Sequence, residues 1–454
     1  MTALGEHAVV LGASMAGLLA ARVLADHFET VTVVERDTLH DIAETRRGVP
    51  QGRHLHGLLM RGAQALEELF PAILDELVAD GAPYLDGSDL SQLYFCMNGH
   101  LSVRSGSSEN IQCYTPSRPL LECHVRRRVR AIDNISVLDG HDVVDVIATP
   151  QRDRVIGVNV ARRKGGEPSE LRSDLVVDAT GRGARTPATL ERFGYPRPAE
   201  DRAAVNLKYS SQLLRLPPDA LKEIGFIVSP VPGRPTGFAL ARLEHDSWMV
   251  TVFGLAGNDP PDSFAGMCDF AEPFAPAHAM AALRSATPLG GPAQHRFPSS
   301  RWYRYDGAQR LPEGLLAVGD AVCSFNPIYA QGMTVAALEA LVLRDCLSRG
   351  TADLPRRFFR ASAKPIRQAW QQAAGGDLSL PEIEGLPPLS TRLLNPYLDR
   401  ILTAAEYDVS VFEQFIRVAW LVDSPARLLR PAMVARAVTA KRRRPAFEST
   451  AAPA

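Results

Sequence analysis

The sequence predicts an α/β protein: a nucleotide-binding domain on a parallel sheet, an inserted β-rich segment and a C-terminal helical region. Three observations carry this reading. Near the N-terminus an apolar strand runs into a glycine-containing turn and then an Ala/Leu-rich helix. Late in the chain a second apolar strand ends in Gly319-Asp320 and is again followed by a helix. Between them, two β-rich runs are joined by three residues, as in a hairpin.

The first element is a buried strand over 7–11, with Val9, Val10 and Leu11 in succession. Gly12-Ala13-Ser14-Met15-Ala16-Gly17 follows, then a helix expected over 18–26 and a β-branched strand over 30–35 that ends in Glu35, with Arg36, a further expected cofactor contact, next to it. Glu35 stands 18 residues (35 − 17) beyond Gly17, close to the roughly 20 of a Rossmann-like fingerprint. Gly12 permits the tight turn, a small residue at Ser14 lets the backbone approach a diphosphate, and Gly17 lets helix and strand pack closely. The helix start offers N–H groups and a positive dipole to phosphates. Glu35 is the expected acceptor for an adenosine ribose. Ser14 stands where the standard pattern has its middle glycine.

The late element reads Gly314-Leu315-Leu316-Ala317-Val318-Gly319-Asp320-Ala321. Asn326-Pro327-Ile328-Tyr329-Ala330-Gln331-Gly332-Met333 follows, and then a helix expected over 334–347. A strand, an acid, a loop and a helix start make a second cofactor contact. The pairing of an early glycine turn with a late Gly-Asp resembles the FAD-binding family that includes para-hydroxybenzoate hydroxylase. The resemblance implies that Asp320 binds the ribityl chain and that the helix start, with Pro327, Gln331, Gly332 and Met333 before and at it, faces the flavin pyrimidine ring. Asp174-Leu175-Val176-Val177-Asp178-Ala179-Thr180-Gly181-Arg182-Gly183 resembles a third stretch of that family, with Ala184 in place of the usual serine.

Gly48-Val49-Pro50-Gln51-Gly52-Arg53-His54-Leu55-His56 and Ser117-Arg118-Pro119-Leu120-Leu121-Glu122 are similar to stretches in actinobacterial flavin monooxygenases that epoxidise polyenes on the way to polyethers. That likeness places Arg53 and Arg118 near the FAD, where a planar, always charged guanidinium suits a diphosphate or a flavin carbonyl. His54 and His56 are read as polar packing beside the cofactor, with no metal site. The family's loop carries glycine where this chain has Ala330, a departure that bears on oxygen activation. The Trp-x-Trp-x-Ile-Pro segment of flavin halogenases is absent, Trp302 having no such partner.

The middle of the chain reads as strands over 203–214, 237–243 and 247–253, with Glu244-His245-Asp246 as the hairpin link, and as loop with short helix over 253–276. After Arg349 the pattern is helical: Tyr397, Leu398, Ile401 and Leu402, then Val411, Phe412, Phe415, Ile416 and Leu421, recur at helical spacing and read as core. The expected domains are 1–194 with 301–350 for FAD, 195–300 as a β-rich substrate domain, and 351–445 as the helical region.

The bulk properties bound the function. A chain of 454 residues exceeds what one core supports, so two or three units are expected. A formal net charge of −1 supplies no field to hold nucleic acid. The basic run Lys441-Arg442-Arg443-Arg444 reads as a solvated tail, and the residues after Pro445 as disordered. Six scattered cysteines with no CxxC pair argue against zinc or a disulfide framework and for a reducing compartment. The apolar run 8–21 lacks a preceding basic segment, so it is not read as a signal peptide. No other stretch reaches the roughly 18 apolar residues of a membrane span, and the cytoplasm is expected.

The resemblance implies an FAD-dependent monooxygenase that uses a flavin C4a-hydroperoxide to epoxidise or hydroxylate an apolar organic substrate, polyene, polyketide or isoprenoid-like, in secondary metabolism. It implies molecular oxygen as co-substrate, and NAD(P)H or reduced flavin from a separate flavin reductase as reductant. No side chain is assignable as catalytic from the sequence. The alternatives are a flavin-dependent reductase of isoprenoid double bonds and a catalytically idle FAD-binding partner protein, the latter prompted by Ala330.

Overall fold

The computed structural model describes residues 3–163, 165–385 and 389–441. Arg442, Arg443 and Arg444 of the basic run, and the tail after Pro445, lie outside the described residues. The chain divides into two units. The first comprises residues up to Asp80, Pro116–Ala203 and Ser299–Ala373; the second comprises Gly81–Thr115, Ala204–Pro298 and residues from Ala374 on.

The first unit is built on a five-stranded parallel sheet. In chain order its elements are β1 (Gly5–Leu11), α1 (Met15–Leu24), β2 (Phe28–Val34), α2 (Met60–Leu69), α3 (Arg118–Arg130), β3 (Ile135–Leu138), β4 (Leu175–Asp178), β5 (Leu315–Ala317), α4 (Gly332–Leu347) and α5 (Leu354–Asp377). The strand order is β5-β4-β1-β2-β3, every pair parallel. Central strands of such a sheet are covered on both faces, which is why β1 and β4 read as unbroken apolar runs; Val9, Val10, Val176 and Val177 are fully buried. The link from β3 to β4 carries an antiparallel sheet of His141–Ala148, Val155–Arg162 and Ser169–Arg172.

Helix α1 starts at Met15, three residues before the expected 18, because Ser14 already has the extended backbone of an N-cap position. Helix α4 likewise starts two residues early, at Gly332. Helices α2 and α3 and the sheet 141–172 had no counterpart in the sequence reading. For α3 the signal was present: Ser117 caps it by accepting from the Leu120 N–H, and Pro119 sits in its first turn.

The second unit holds an antiparallel hairpin of Thr236–Arg242 and Trp248–Gly254, with Arg242 opposite Trp248. His245 and Asp246 both turn left-handed to close it (φ 57° and 54°). The sheet continues from Trp248–Gly254 to Glu200–Arg215 on one side, and through Thr236–Arg242 to Gly225–Val228, Leu93–Met97 and His100–Leu101 on the other. The strand Leu93–Met97 pairs in parallel with Gly225–Val228, a partnership more than a hundred residues apart that no local pattern announces. Helices Phe264–Ala271 and Ala277–Arg284 help bury Phe238, Leu240, Trp248, Val250 and Val252. The helix Val409–Ala419 sets the Phe412 and Phe415 rings 6.1 and 6.4 Å, centre to centre, from the Phe95 ring. Ile401, Leu402, Val411, Phe412, Phe415, Ile416 and Leu421 are buried, as core residues are, whereas Tyr397 and Leu398, expected in the core as well, are only half-buried.

Candidate dinucleotide site

The early turn is set by steric need. Gly12 has φ +99°, and a Cβ on it would meet the Ala179 carbonyl oxygen at 2.8 Å. A Cβ on Gly17 would lie 1.9 Å from the Gly12 carbonyl oxygen, so only glycine lets α1 leave β1 at this angle. Like every helix, α1 opens with N–H groups that its own carbonyls cannot reach. Ser14 leaves them uncapped: its hydroxyl donates to Glu122 Oε2 (3.2 Å) and accepts from Arg118 Nη2 (2.7 Å). Met15 is buried and Ala16 half-buried.

Glu35 is buried at the end of β2 and accepts from the Ala13 N–H (2.8 Å) and the Asp37 N–H (2.9 Å). It is also paired with Arg46 (3.1 Å). Arg46 was not foreseen, yet it is the hub of this region. Its guanidinium donates to Glu122 Oε1 (2.8 Å), the Ala13 carbonyl (2.9 Å) and Asp37 (3.2 Å). Glu122, likewise unforeseen, also receives Arg118 at 3.1 Å. Burial opposes the Glu122 charge, but Arg118 and Arg46 outweigh it and hold its carboxyl below the usual range. Three chain segments, at 35–46, 14 and 118–122, are thereby tied into one buried ionic cluster.

Not all the expected contacts join it. Arg118 does; Arg53 is exposed and makes no hydrogen bond or ion pair among the described residues. Arg36 is exposed and pairs with Asp142 at 3.9 Å. The stretch carrying Arg53 is nonetheless adjacent, since a Cβ on Gly52 would touch Arg118 Cγ at 3.9 Å. His54 is buried, and its carbonyl lies 3.0 Å from His56 Nδ1. Burial, helped by the charge of Arg118, pushes His56 down to about 4, so the ring is neutral at pH 7. Among the described residues no group of three or more His, Cys, Asp or Glu side chains is placed to hold a metal ion.

The late turn meets the early one. Gly319 lies so close to α1 that a Cβ on it would come within 2.6 Å of Ala16 Cβ. Asp320 follows; its side chain is open to solvent but ringed by protein, and that burial raises its carboxyl against the pull of Arg182, Arg118 and Arg301. Among the described residues no hydrogen bond reaches the Asp320 carboxylate, and a Cβ on Gly332, the first residue of α4, would lie 4.0 Å from its Oδ1. Arg182 is held by Ser324 Oγ (2.5 Å) and the Ser299 carbonyl (3.0 Å). Asp178, by contrast, is used up locally by Thr180 (2.6 Å) and Thr186 (2.5 Å).

In the loop before α4, Asn326 accepts from the Ile328 N–H, Pro327 is exposed and Met333 half-buried. Gln331 is buried and donates to Gln372 (2.8 Å), leaving its own Oε1 without a partner. Ala330 is left-handed, φ 54° and ψ 23°. The donor set fits a dinucleotide: two helix starts, a buried acid, Glu35, just after β2, and an open acid, Asp320, beside the second helix start.

No protein-family model matches the chain. Protein Rv3254 of Mycobacterium tuberculosis is 40% identical over 433 residues, covering 92% of this chain and 90% of that relative. The fold is shared with solved structures of low identity. A flavoprotein/dehydrogenase from Cytophaga hutchinsonii aligns with a TM-score of 0.66 at 14% identity, over 96% of this chain and 98% of its own. p-Nitrophenol 4-monooxygenase PnpA from Pseudomonas putida aligns with a TM-score of 0.65 at 14% identity, over 92% and 98%. The flavin-dependent brominase Bmp2 aligns with a TM-score of 0.65 at 15% identity, over 95% and 98%. At these identities the likeness is one of fold.

Proposed function

The chain belongs to the family of Protein Rv3254 of Mycobacterium tuberculosis, and within that family we propose that it is a non-covalent flavoprotein, an FAD-dependent monooxygenase acting on an apolar organic substrate. One observation carries the reading: the early glycine turn and the Gly319-Asp320 turn meet at Ala16, in a fold shared with flavin-dependent enzymes.

In this reading Gly12, Ser14, Met15, Ala16 and Gly17 form the diphosphate turn, and Glu35 takes the adenosine ribose with Arg36 beside it. Arg118 and Arg53 supply positive charge to the cofactor. Asp320 takes the ribityl chain. Pro327, Gln331, Gly332 and Met333 border the flavin ring. Bound FAD would supply the redox chemistry, activating molecular oxygen with electrons from NAD(P)H or from reduced flavin made by a separate reductase. The side chains of this unit bind, orient and keep charge balanced. Arg46 holds Glu35 and Glu122 in place rather than reaching a ligand itself. Electrophilic attack on an alkene needs no general base, whereas phenol hydroxylation would benefit from one; the reading covers epoxidation or hydroxylation of a polyene, polyketide or isoprenoid-like substrate.

The domain roles that go with this reading are FAD binding for 1–194 and 301–350, substrate binding for the β-rich segment 195–300, and a helical region over 351–445. A cytoplasmic place in secondary metabolism belongs to the same reading. Among the described residues no helix is long and apolar enough to cross a membrane.

The left-handed Ala330 favours one second reading, an FAD-binding partner protein without turnover, because a methyl stands where the resembling family has glycine. The decisive experiment offers the reduced protein a panel of polyenes and isoprenoids under labelled dioxygen. The monooxygenase incorporates the label. A saturated product formed without oxygen assigns a double-bond reductase, and reoxidation without any product assigns the idle partner.

A further inference from the structure

Helix α4 is apolar along most of its length, and Glu339 lies in its interior, 1% exposed. Its Oε2 accepts the Gly319 N–H at 2.7 Å, and its Oε1 has no hydrogen-bond partner. No cation faces it. Asp320, of the same sign and in the adjoining turn, is the charged group acting on it among the described residues. From α1, packed alongside, the charged residue is Arg22, committed to Asp26 and the Leu69 carbonyl. From α2, Arg61 and Glu68 pair with each other and Glu67 accepts the Ala72 and Leu74 N–H groups. The following strand brings Cys323, a buried thiol.

A buried carboxylate with one N–H donor and no counter-ion costs far more than a neutral carboxylic acid in the same place. We propose that Glu339 is a proton-holding positioning residue for the cofactor: as a neutral acid it fixes the Gly319 N–H and so aims Asp320 into the dinucleotide site. Losing its proton sets a second negative charge behind Asp320, where an anionic dinucleotide must also sit. Burial, reinforced by Asp320, pushes the carboxyl up to about 8.

The proposal rests on the FAD reading for its ligand but not for its proton. A carboxyl raised on folding stabilises the fold fully below its ordinary value near 4.5, and that stability is lost as pH rises through about 8. The test measures thermal unfolding of the FAD-free protein, and FAD affinity by fluorescence, from about pH 6 to about pH 10, in the wild type, E339Q and D320N. Wild-type stability should fall around pH 8, and its FAD dissociation constant should rise several-fold across the same window, up to about tenfold per pH unit. E339Q, an uncharged mimic of the acid, should bind FAD at pH 7 within about threefold of wild type and stay flat with pH. D320N should move the stability midpoint down, because the like charge is gone.

Parallel pH profiles in wild type and E339Q would overturn the proposal, as would an unmoved midpoint in D320N. A wild type that binds no FAD overturns the cofactor reading instead; the stability arm then still decides whether Glu339 holds a proton.

Discussion

The methyl group of Ala330 faces Gly57, and a Cβ on Gly57 would stand 3.2 Å from Ala330 Cβ. A glycine on one segment thus makes room for the alanine on the other. Ala330 is left-handed, a conformation that costs an L-residue roughly 1–2 kcal/mol. Ala330→Gly should therefore raise thermal stability by about 1 kcal/mol, change FAD affinity little, and change the coupling of reductant use to product. Gly57→Ala should lower stability, and the double variant should recover most of that loss. Calorimetry and flavin titration of the four proteins check this; independent effects of the two substitutions would separate the residues.

Arg46 is the counter-ion of three carboxylates, Glu35, Asp37 and Glu122. Arg46→Ala should destabilise the protein by about 3–5 kcal/mol, because it strands buried negative charge. Arg46→Lys should rescue only part, since one ammonium cannot reproduce the fork that binds Glu122, Asp37 and the Ala13 carbonyl. Urea unfolding measures both; a loss below about 1 kcal/mol for the alanine variant would place the cluster among inconsequential surface pairs.

Glu35→Ala and Asp320→Ala should both weaken FAD binding, each by roughly 1.5–3 kcal/mol. They should differ in stability. Glu35 holds the Ala13 N–H and Arg46, so its loss loosens the fold. Among the described residues the Asp320 carboxylate accepts no hydrogen bond, and burial disfavours its charge, so Asp320→Ala should leave the FAD-free protein as stable or more so. Equal destabilisation in the two variants would contradict this division.

His56 is pushed down to about 4. A group whose value is lowered on folding supports the fold above its ordinary 6.5, and that support is lost as pH falls toward 4. The ring protons of His56 should show no titration between about pH 5.5 and pH 8 by NMR, and His56→Gln should flatten the acid limb of the stability curve. A midpoint near 6.5 would show that the ring is solvated and free of the influence of Arg118.

The strands, glycine turns and Gly-Asp motif were legible because their residue types are dictated locally, by a positive φ at Gly12 or an apolar run in β1. The ionic cluster was not. Arg46 and Glu122 are 76 residues apart, and no periodicity links an arginine in a loop to an acid on α3. The strand Leu93–Met97 escaped for the same reason, its parallel partner being distant. Glu339 left a trace, an acid in the middle of an apolar helical run, that could have been read as a buried carboxyl. Arg36 follows Glu35 as expected, and its exposed side chain pairs with Asp142, a partner no local pattern announces.

Whether the two turns together hold FAD is decided by purifying the protein, recording its visible spectrum and titrating it with FAD. The expected result is a yellow protein that releases intact FAD on heating, rebinds it in equimolar amount, and loses affinity in Asp320→Ala. A colourless protein that fails to take up added FAD would contradict it.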